Sequence, residues 1–294
     1  MDMTSRIIRC EYSGAIAARV VRESTGGEVL MSAEHGIYLR LDGGLVLLCG
    51  THMGRIGFAL ELEDFEALFP KDKGMEGARV SCGENSLSFC GKNLLLAEVK
   101  PRSNGASAPL AVLSERGEGI KALVTAAGKG FLPLLLPFMG EITGGVPPEE
   151  ASMPDNKYAL KAAKSMAALF SALRRGRDDE ICSAFVNVPG LGPGLTPSTD
   201  DWTAGLLYTL SALAPESISE RVRSLIPEGA RERTNLISLA YLENACTGGE
   251  LEMMERLLHT GEAEDARRLL SVGSSSGSDM LCGYLSGLAY LNNA

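Results

Sequence analysis

Gly190-Leu191-Gly192-Pro193-Gly194-Leu195-Thr196-Pro197-Ser198-Thr199-Asp200-Asp201 runs directly into an apolar series at helical spacing, Trp202, Leu206, Leu210 and Leu213, which Pro215 ends. A loop rich in glycine and proline that gives way to hydroxyl and acidic residues and then to this period reads as a loop opening a helix. Its second half returns 78 positions later, where Ser276, Asp279 and Gly283 repeat the spacing of Ser198, Asp201 and Gly205. Met280, Tyr284, Leu285 and Leu288 then mark a similar face in a last helix. Two like helix starts in one chain suggest one site built twice.

Outward from this pair, Tyr158 to Arg174 is rich in Ala, Leu, Lys and Met and closes on Arg174-Arg175 before Gly176, the composition of a helix and its C-terminus. The first hundred residues read differently. Ile37–Leu41 and Leu45–Cys49 flank Asp42-Gly43-Gly44, a hairpin signal, and the short runs 78–82, 86–90 and 94–99 are parted by Gly83-Glu84-Asn85 and Gly91-Lys92-Asn93. That spacing predicts a small antiparallel barrel or sandwich. The expected fold class is therefore α+β, with a β-rich domain over 1–105, an all-α helical domain over 106–294 that carries the Gly-rich loop, and a linker at 103–107.

Composition narrows the function. The chain has 294 residues and a net charge of -9, which disfavours a nucleic-acid partner because such binding rests on Lys and Arg neutralising phosphates. The strongest apolar run, Phe131 to Phe138, holds two prolines and is too short to span a bilayer, so no membrane partner is expected. Seven cysteines, odd in number and without a C-x-x-C pair, fit reduced thiols in a cytoplasmic protein.

The Gly-rich loop is neither a Walker A loop, lacking Gly-Lys-Ser/Thr, nor a Rossmann fingerprint, lacking a preceding strand in a βαβ unit. Glycines at 190, 192 and 194 permit close backbone approach, and a helix N-terminus offers free N–H groups and a positive dipole end, so Gly192, Gly194, Thr196, Ser198 and Thr199 are candidate anion binders. Ser274, Ser276 and Gly277 play that part in the second copy. Arg233 and Thr234 open a further helix and suit a carboxylate or phosphate; an ordinary solvated helix start reads the same way. Ser198-x-x-Asp201 and Ser276-x-x-Asp279 are also readable as variant capping boxes. Capping does not account for Asp200 beside Asp201, since neighbouring helical side chains diverge by about 100°. If helices cross closely at Gly205 and Gly283, then Asp200, Asp201 and Asp279 face one pocket as candidate catalytic acids. They would hold a hard cation such as Mg²⁺, with Asp200 and Asp201 as ligands, or accept hydrogen bonds from an amide-bearing substrate. His35, His52 and His259 look too dispersed for a metal set.

Gly190-x-Gly-Pro-Gly-Leu-Thr-Pro-Ser-x-Asp-Asp-x-x-x-Gly205, Arg233-Thr234-x-x-x-Ser238 and Gly273-x-Ser-Ser-Gly-x-Asp279-x-x-x-Gly283 together resemble the AllH family, over about residues 185–291. Thr199, Asn235 and Ser274 stand where that family commonly has glycine, threonine and histidine. The resemblance implies a subunit of oxamate carbamoyltransferase, acting in the breakdown of allantoin or related purine products. Oxalurate and phosphate would be exchanged there with oxamate and carbamoyl phosphate, alongside FdrA-like protein partners. The substrates are small anions, which suits a helix N-terminus. Two other readings stand beside it: a noncatalytic metabolite-binding or scaffold subunit, and a Mg²⁺-dependent amide hydrolase using the three aspartates.

Overall fold

The computed structural model describes residues 6–33, 35–70, 74–99 and 106–293. Of the linker expected over 103–107, positions 103–105 lie outside the described residues. The chain divides into two compact units, residues 1–104 with 249–252, and residues 105–248 with 253–294.

The first unit is one curled, nine-strand half-barrel sheet. Its strands are β1 (Arg6–Arg9), β2 (Tyr12–Ser13), β3 (Gly26–Ala33), β4 (Gly36–Leu41), β5 (Gly44–Gly50), β6 (Ala59–Leu62), β7 (Arg79–Gly83), β8 (Ser86–Phe89) and β9 (Lys92–Leu95). They lie in the order β1-β9-β8-β7-β3-β4-β5-β6-β2. The Asp42-Gly43 turn joins β4 to β5 as its sequence predicts, and the Asp42 carboxylate ties it to β3 by accepting from the Thr25 N–H and hydroxyl and the Gly26 N–H.

Two features depart from an all-antiparallel reading. The pairs β1/β9 and β5/β6 are parallel. The connection from β2 to β3 is a helix, α1 (Ala15–Glu23), and a single turn, α2 (Phe65–Leu68), follows β6. In α1 the alanines and valines at 17, 18, 20 and 21 are buried while Arg19 and Arg22 face out. That face is only two turns long, too short a signal to stand out among strand-like neighbours.

Residues 249–252 join this unit through the Leu251 bridge to Ile56 and the Gly57 N–H bond to the Glu250 carbonyl. Around them Tyr12 donates to Glu250 at 2.7 Å, and Arg55 lies 3.7 Å from Glu250 and 3.8 Å from Glu252. Glu61 is buried beside this group with Oε1 unpartnered. Burial, reinforced by Glu252 and opposed by Arg55, raises its pKa to about 7.

The second unit is helical: α3 (Leu110–Ala127), α4 (Met139–Thr143), α5 (Lys157–Arg175), α6 (Asp178–Phe185), α7 (Ser198–Leu213), α8 (Glu216–Arg231), α9 (Leu236–Cys246), α10 (Glu252–Thr260), α11 (Ala263–Leu270) and α12 (Ser276–Asn292). Asn156 caps α5 by accepting from the N–H groups of Tyr158 and Ala159, and Gly176 ends it at φ +69°. Helices α7 and α12 form the centre, each buried over most of its length. Trp202 packs edge-on against Phe170 at 5.9 Å, and its indole N–H donates to Ser286 at 3.0 Å, so the largest side chain of the core is satisfied.

Candidate functional site

The repeat in the sequence becomes a reciprocal crossing. A Cβ on Gly205 would lie 2.1 Å from the Met280 carbonyl oxygen, and one on Gly283 would lie 2.0 Å from that of Trp202. Each glycine thus receives the carbonyl three positions before the other, and only glycine lets the two backbones approach so closely. Residues one turn earlier must then face each other. These are Asp201 and Asp279.

Both carboxyls are out of water, Asp279 at 0% exposure and Asp201 at 2%. Their hydroxyl neighbours are exchanged between helices, with Ser276 of α12 beside Asp201 and Ser198 of α7 beside Asp279. Thr196 links the halves, donating to Asp201 at 2.8 Å and lying 3.0 Å from the Ser276 hydroxyl. Burial raises the pKa of Asp201 well above the usual carboxylate range, and the neighbouring Asp279 adds to that rise against the opposing hydroxyls of Thr196 and Ser276. Burial likewise raises Asp279 to about 7. Ser198 and Ser275 favour its charged form by proximity, yet neither carboxylate oxygen has a hydrogen-bond partner. Two buried acids that repel resist double ionisation, so the pair holds a proton towards neutral pH.

The capping-box reading fails here for a geometric reason. Ser198 and Ser276 are the first residues of their helices, after Pro197 and Ser275 at the cap positions, and neither cap position supplies a side-chain bond. The acids three residues on have hydroxyl neighbours from the other helix, Ser276 for Asp201 and Ser198 for Asp279, as well as Thr196 and Ser275 from their own approaches.

Asp200 points elsewhere, as its position about 100° round the helix requires. It accepts from the Gly190 N–H at 2.7 Å and from the Thr234 hydroxyl. Burial raises its pKa against these bonds. Thr199 accepts from the Leu191 N–H at 3.0 Å, Asn235 donates to the Leu195 carbonyl at 2.7 Å while capping α9, and Arg233 Nε donates to the Val186 carbonyl at 2.9 Å. Asp200, Thr199, Arg233, Thr234 and Asn235 therefore fasten the ends of the Gly-rich loop.

The glycines divide in the same way. Gly190 (φ +81°) would meet the Arg233 carbonyl at 2.1 Å and Gly192 (φ +125°) the Ser198 N–H nitrogen at 2.7 Å, whereas at Gly194 (φ +105°) a Cβ would meet the Thr196 carbonyl oxygen only at an ordinary 3.9 Å. Gly277 is a packing position, where a Cβ would lie 1.7 Å from the Leu269 carbonyl. Ser274, which precedes Ser275 and Ser276 in the same loop, is exposed.

A further segment, absent from the sequence reading, completes the surroundings. The Lys129 N–H donates to Ser278 at 2.9 Å, and Gly130 (φ +84°) comes so close that a Cβ there would lie 3.5 Å from Asp279 Oδ1 and 3.0 Å from Ser275 Cβ. Gly128-Lys129-Gly130 belongs to no repeat, and its only local signal is a pair of glycines after α3.

The acids do not assemble as a cation site. Asp200 and Asp201 diverge to different partners, and among the described residues no group of three or more His, Cys, Asp and Glu is arranged to hold a metal ion. His35 and His52, which the sequence separates, do meet edge to face at 5.4 Å, with His52 Nδ1 3.6 Å from Glu66. All seven cysteines are free thiols, and among the described residues no helix is long and apolar enough to cross a membrane.

Residues 185–288 match the family model of oxamate carbamoyltransferase subunit AllH. The matched stretch contains α7, α9, α12 as far as residue 288, and both aspartates of the crossing. No solved structure gives a significant match.

Proposed function

We propose that this chain is a subunit of an oxamate carbamoyltransferase-type enzyme and that the crossing of α7 and α12 carries its ligand site. The reading proceeds from the family match over 185–288, and one observation carries it: two buried carboxyls brought together by a duplicated motif inside that stretch. Burying two neighbouring acids costs stability that a purely structural crossing would avoid, because apolar residues at 201 and 279 would pack without a desolvation penalty. Perturbed pairs of this kind concentrate at functional sites.

The exchange of oxalurate and phosphate for oxamate and carbamoyl phosphate needs the chemistry such a pair offers. A phosphate oxygen attacks the ureido carbonyl carbon, the bond from that carbon to the oxamate nitrogen breaks, and the nitrogen must take up a proton. The protonated carboxyl of the pair supplies it as general acid, and the resulting carboxylate recovers a proton from the attacking phosphate. No covalent intermediate is called for; positioning supplies much of the rate. The Gly-rich loop, fastened by Asp200 and Thr234, serves as the cover over the site, and FdrA-like subunits act as partners in the cytoplasm.

The test is reconstitution. The chain mixed with FdrA-like partners should form carbamoyl phosphate from oxalurate only when phosphate is present. Phosphate-independent release of ammonia from oxalurate would point to amide hydrolysis, and binding without turnover in the complete mixture would point to a sensing subunit.

A further inference from the structure

Among the described residues, three clusters of titratable groups stand out: the Glu61 cluster of the first unit, the His35–His52 contact, and the acid pair of the second. In the first, Arg55 and Tyr12 engage Glu250 and Arg55 offsets the Glu61 charge, and the second is exposed with Glu66 as its neighbour. The third differs, because Asp279 is wholly buried and both its oxygens lack a donor.

We propose that Asp279, supported by Asp201, is an acceptor for the N–H edge of an amide or ureido ligand, so that this end of the site selects hydrogen-bond donors and rejects an anion. This assignment rests on the carbamoyl-transfer reading of the same site. The helix starts would ordinarily attract an anion. Here that capacity is partly spent: acids sit in the first turn of both helices, and the first-turn N–H groups of Thr199 and Gly277 donate to the Leu191 and Val272 carbonyls. A second anion against Asp279 would meet like charge in a dry setting, whereas an NH₂ group brings the donors that Asp279 lacks.

Shape points the same way. Gly130 approaches the carboxyl closely, a Cβ there lying 3.5 Å from Asp279 Oδ1 and 3.0 Å from Ser275 Cβ, and Ser198 and Ser275 stand beside it without bonding either oxygen. A planar group edged with N–H donors supplies that wall with bonds. An oxyanion of similar size presents only acceptors to the same wall.

Oxamate and oxalate differ by one amide in place of one carboxylate and make a close probe pair. Binding of each, and of inorganic phosphate, is measured by calorimetry at pH 7 on the full chain in its reconstituted complex. Oxamate should bind at least about tenfold more tightly than oxalate, as expected where a site is built around a donor. Asp279→Asn should lose at least about tenfold in oxamate affinity while phosphate binding changes little. Equal binding of oxamate and oxalate overturns the assignment, and so does unchanged oxamate affinity in Asp279→Asn. Failure of wild type to bind oxamate also overturns it. Circular dichroism and the melting transition of the variant show whether it is folded, and Asp279→Glu, which keeps the acceptor but displaces it, should recover the preference for oxamate over oxalate. Carbamoyl phosphate formation on the same samples separates the two readings. Turnover with Asp279-independent binding removes only this assignment, and Asp279-dependent oxamate binding without turnover removes only the transferase.

Discussion

Asp279→Asn should make the protein more stable, and increasingly so as the pH rises. In the folded chain the Asp279 carboxyl keeps its proton up to about pH 7, against 3.8 for a free side chain. The folded state thus binds more protons than the unfolded one between those values, and stability falls as pH rises through that window before levelling off. At about 1.4 kcal/mol per pH unit, the gap corresponds to roughly 4 kcal/mol of penalty at pH 8 and roughly 1.5 kcal/mol at pH 5. Asparagine keeps the shape and carries no charge, and it also removes the repulsion that raises Asp201. For a protein of this size about 2 °C of melting temperature accompanies each kcal/mol, so the variant should melt above wild type by a few degrees at pH 5 and by about 8 °C at pH 8. Thermal melts of both proteins across that range, followed by circular dichroism, measure the difference directly. A variant that melts lower at every pH, or a gap that does not widen with pH, would refute the claim that the acid is buried at a cost.

Gly205→Ala and Gly283→Ala should each destabilise by several kcal/mol, about 3 or more, because the added Cβ meets backbone that cannot move aside; Gly119→Ala, in α3 with nothing within 4 Å, should stabilise by up to about 1 kcal/mol, and urea melts compare the three. Thr234→Val removes a donor from buried Asp200 and should cost about 1–3 kcal/mol, with faster proteolysis within residues 190–197 as the readout of a released loop. Glu61→Gln should stabilise by about 1–3 kcal/mol above pH 7, with the gain vanishing below pH 4.5, since that acid too holds its proton to about pH 7 when folded. Melts at pH 4 and pH 8 test the sign.

The carboxyl pair shows where sequence reading reached and where it stopped. The spacing Ser-x-x-Asp-x-x-x-Gly, met twice, contains the crossing in principle: two helix glycines that are costly alone become necessary when each receives the other's carbonyl. The hairpin at Asp42-Gly43 and the helix ending at Gly176 were legible because turn and cap chemistry is local. The division of labour between Asp200 and Asp201 was not. Both residues are acids at a helix start, and only the positions of Gly190, Thr234 and Thr196 in space assign one to the loop and the other to the pair. Arg233 and Thr234 at a helix start read as suited to an anion for the same reason, and in the structure they donate to the Val186 carbonyl and Asp200. Gly130 was out of reach altogether, since its role depends on a tertiary approach to Ser275 and Asp279 from a loop that shares no motif with either. In the first unit, α1 was hidden by its brevity, and the parallel pairings by the fact that alternation along a strand does not encode the direction of its neighbour.

Carbamoyl phosphate formation from oxalurate and phosphate, by the reconstituted complex carrying either wild-type chain or Asp201→Asn, tests the account most directly. The wild-type complex should turn over, and the variant complex, assembled to the same extent, should lose at least about a hundredfold of that rate, as loss of a general acid entails. Equal rates from the two complexes would contradict it.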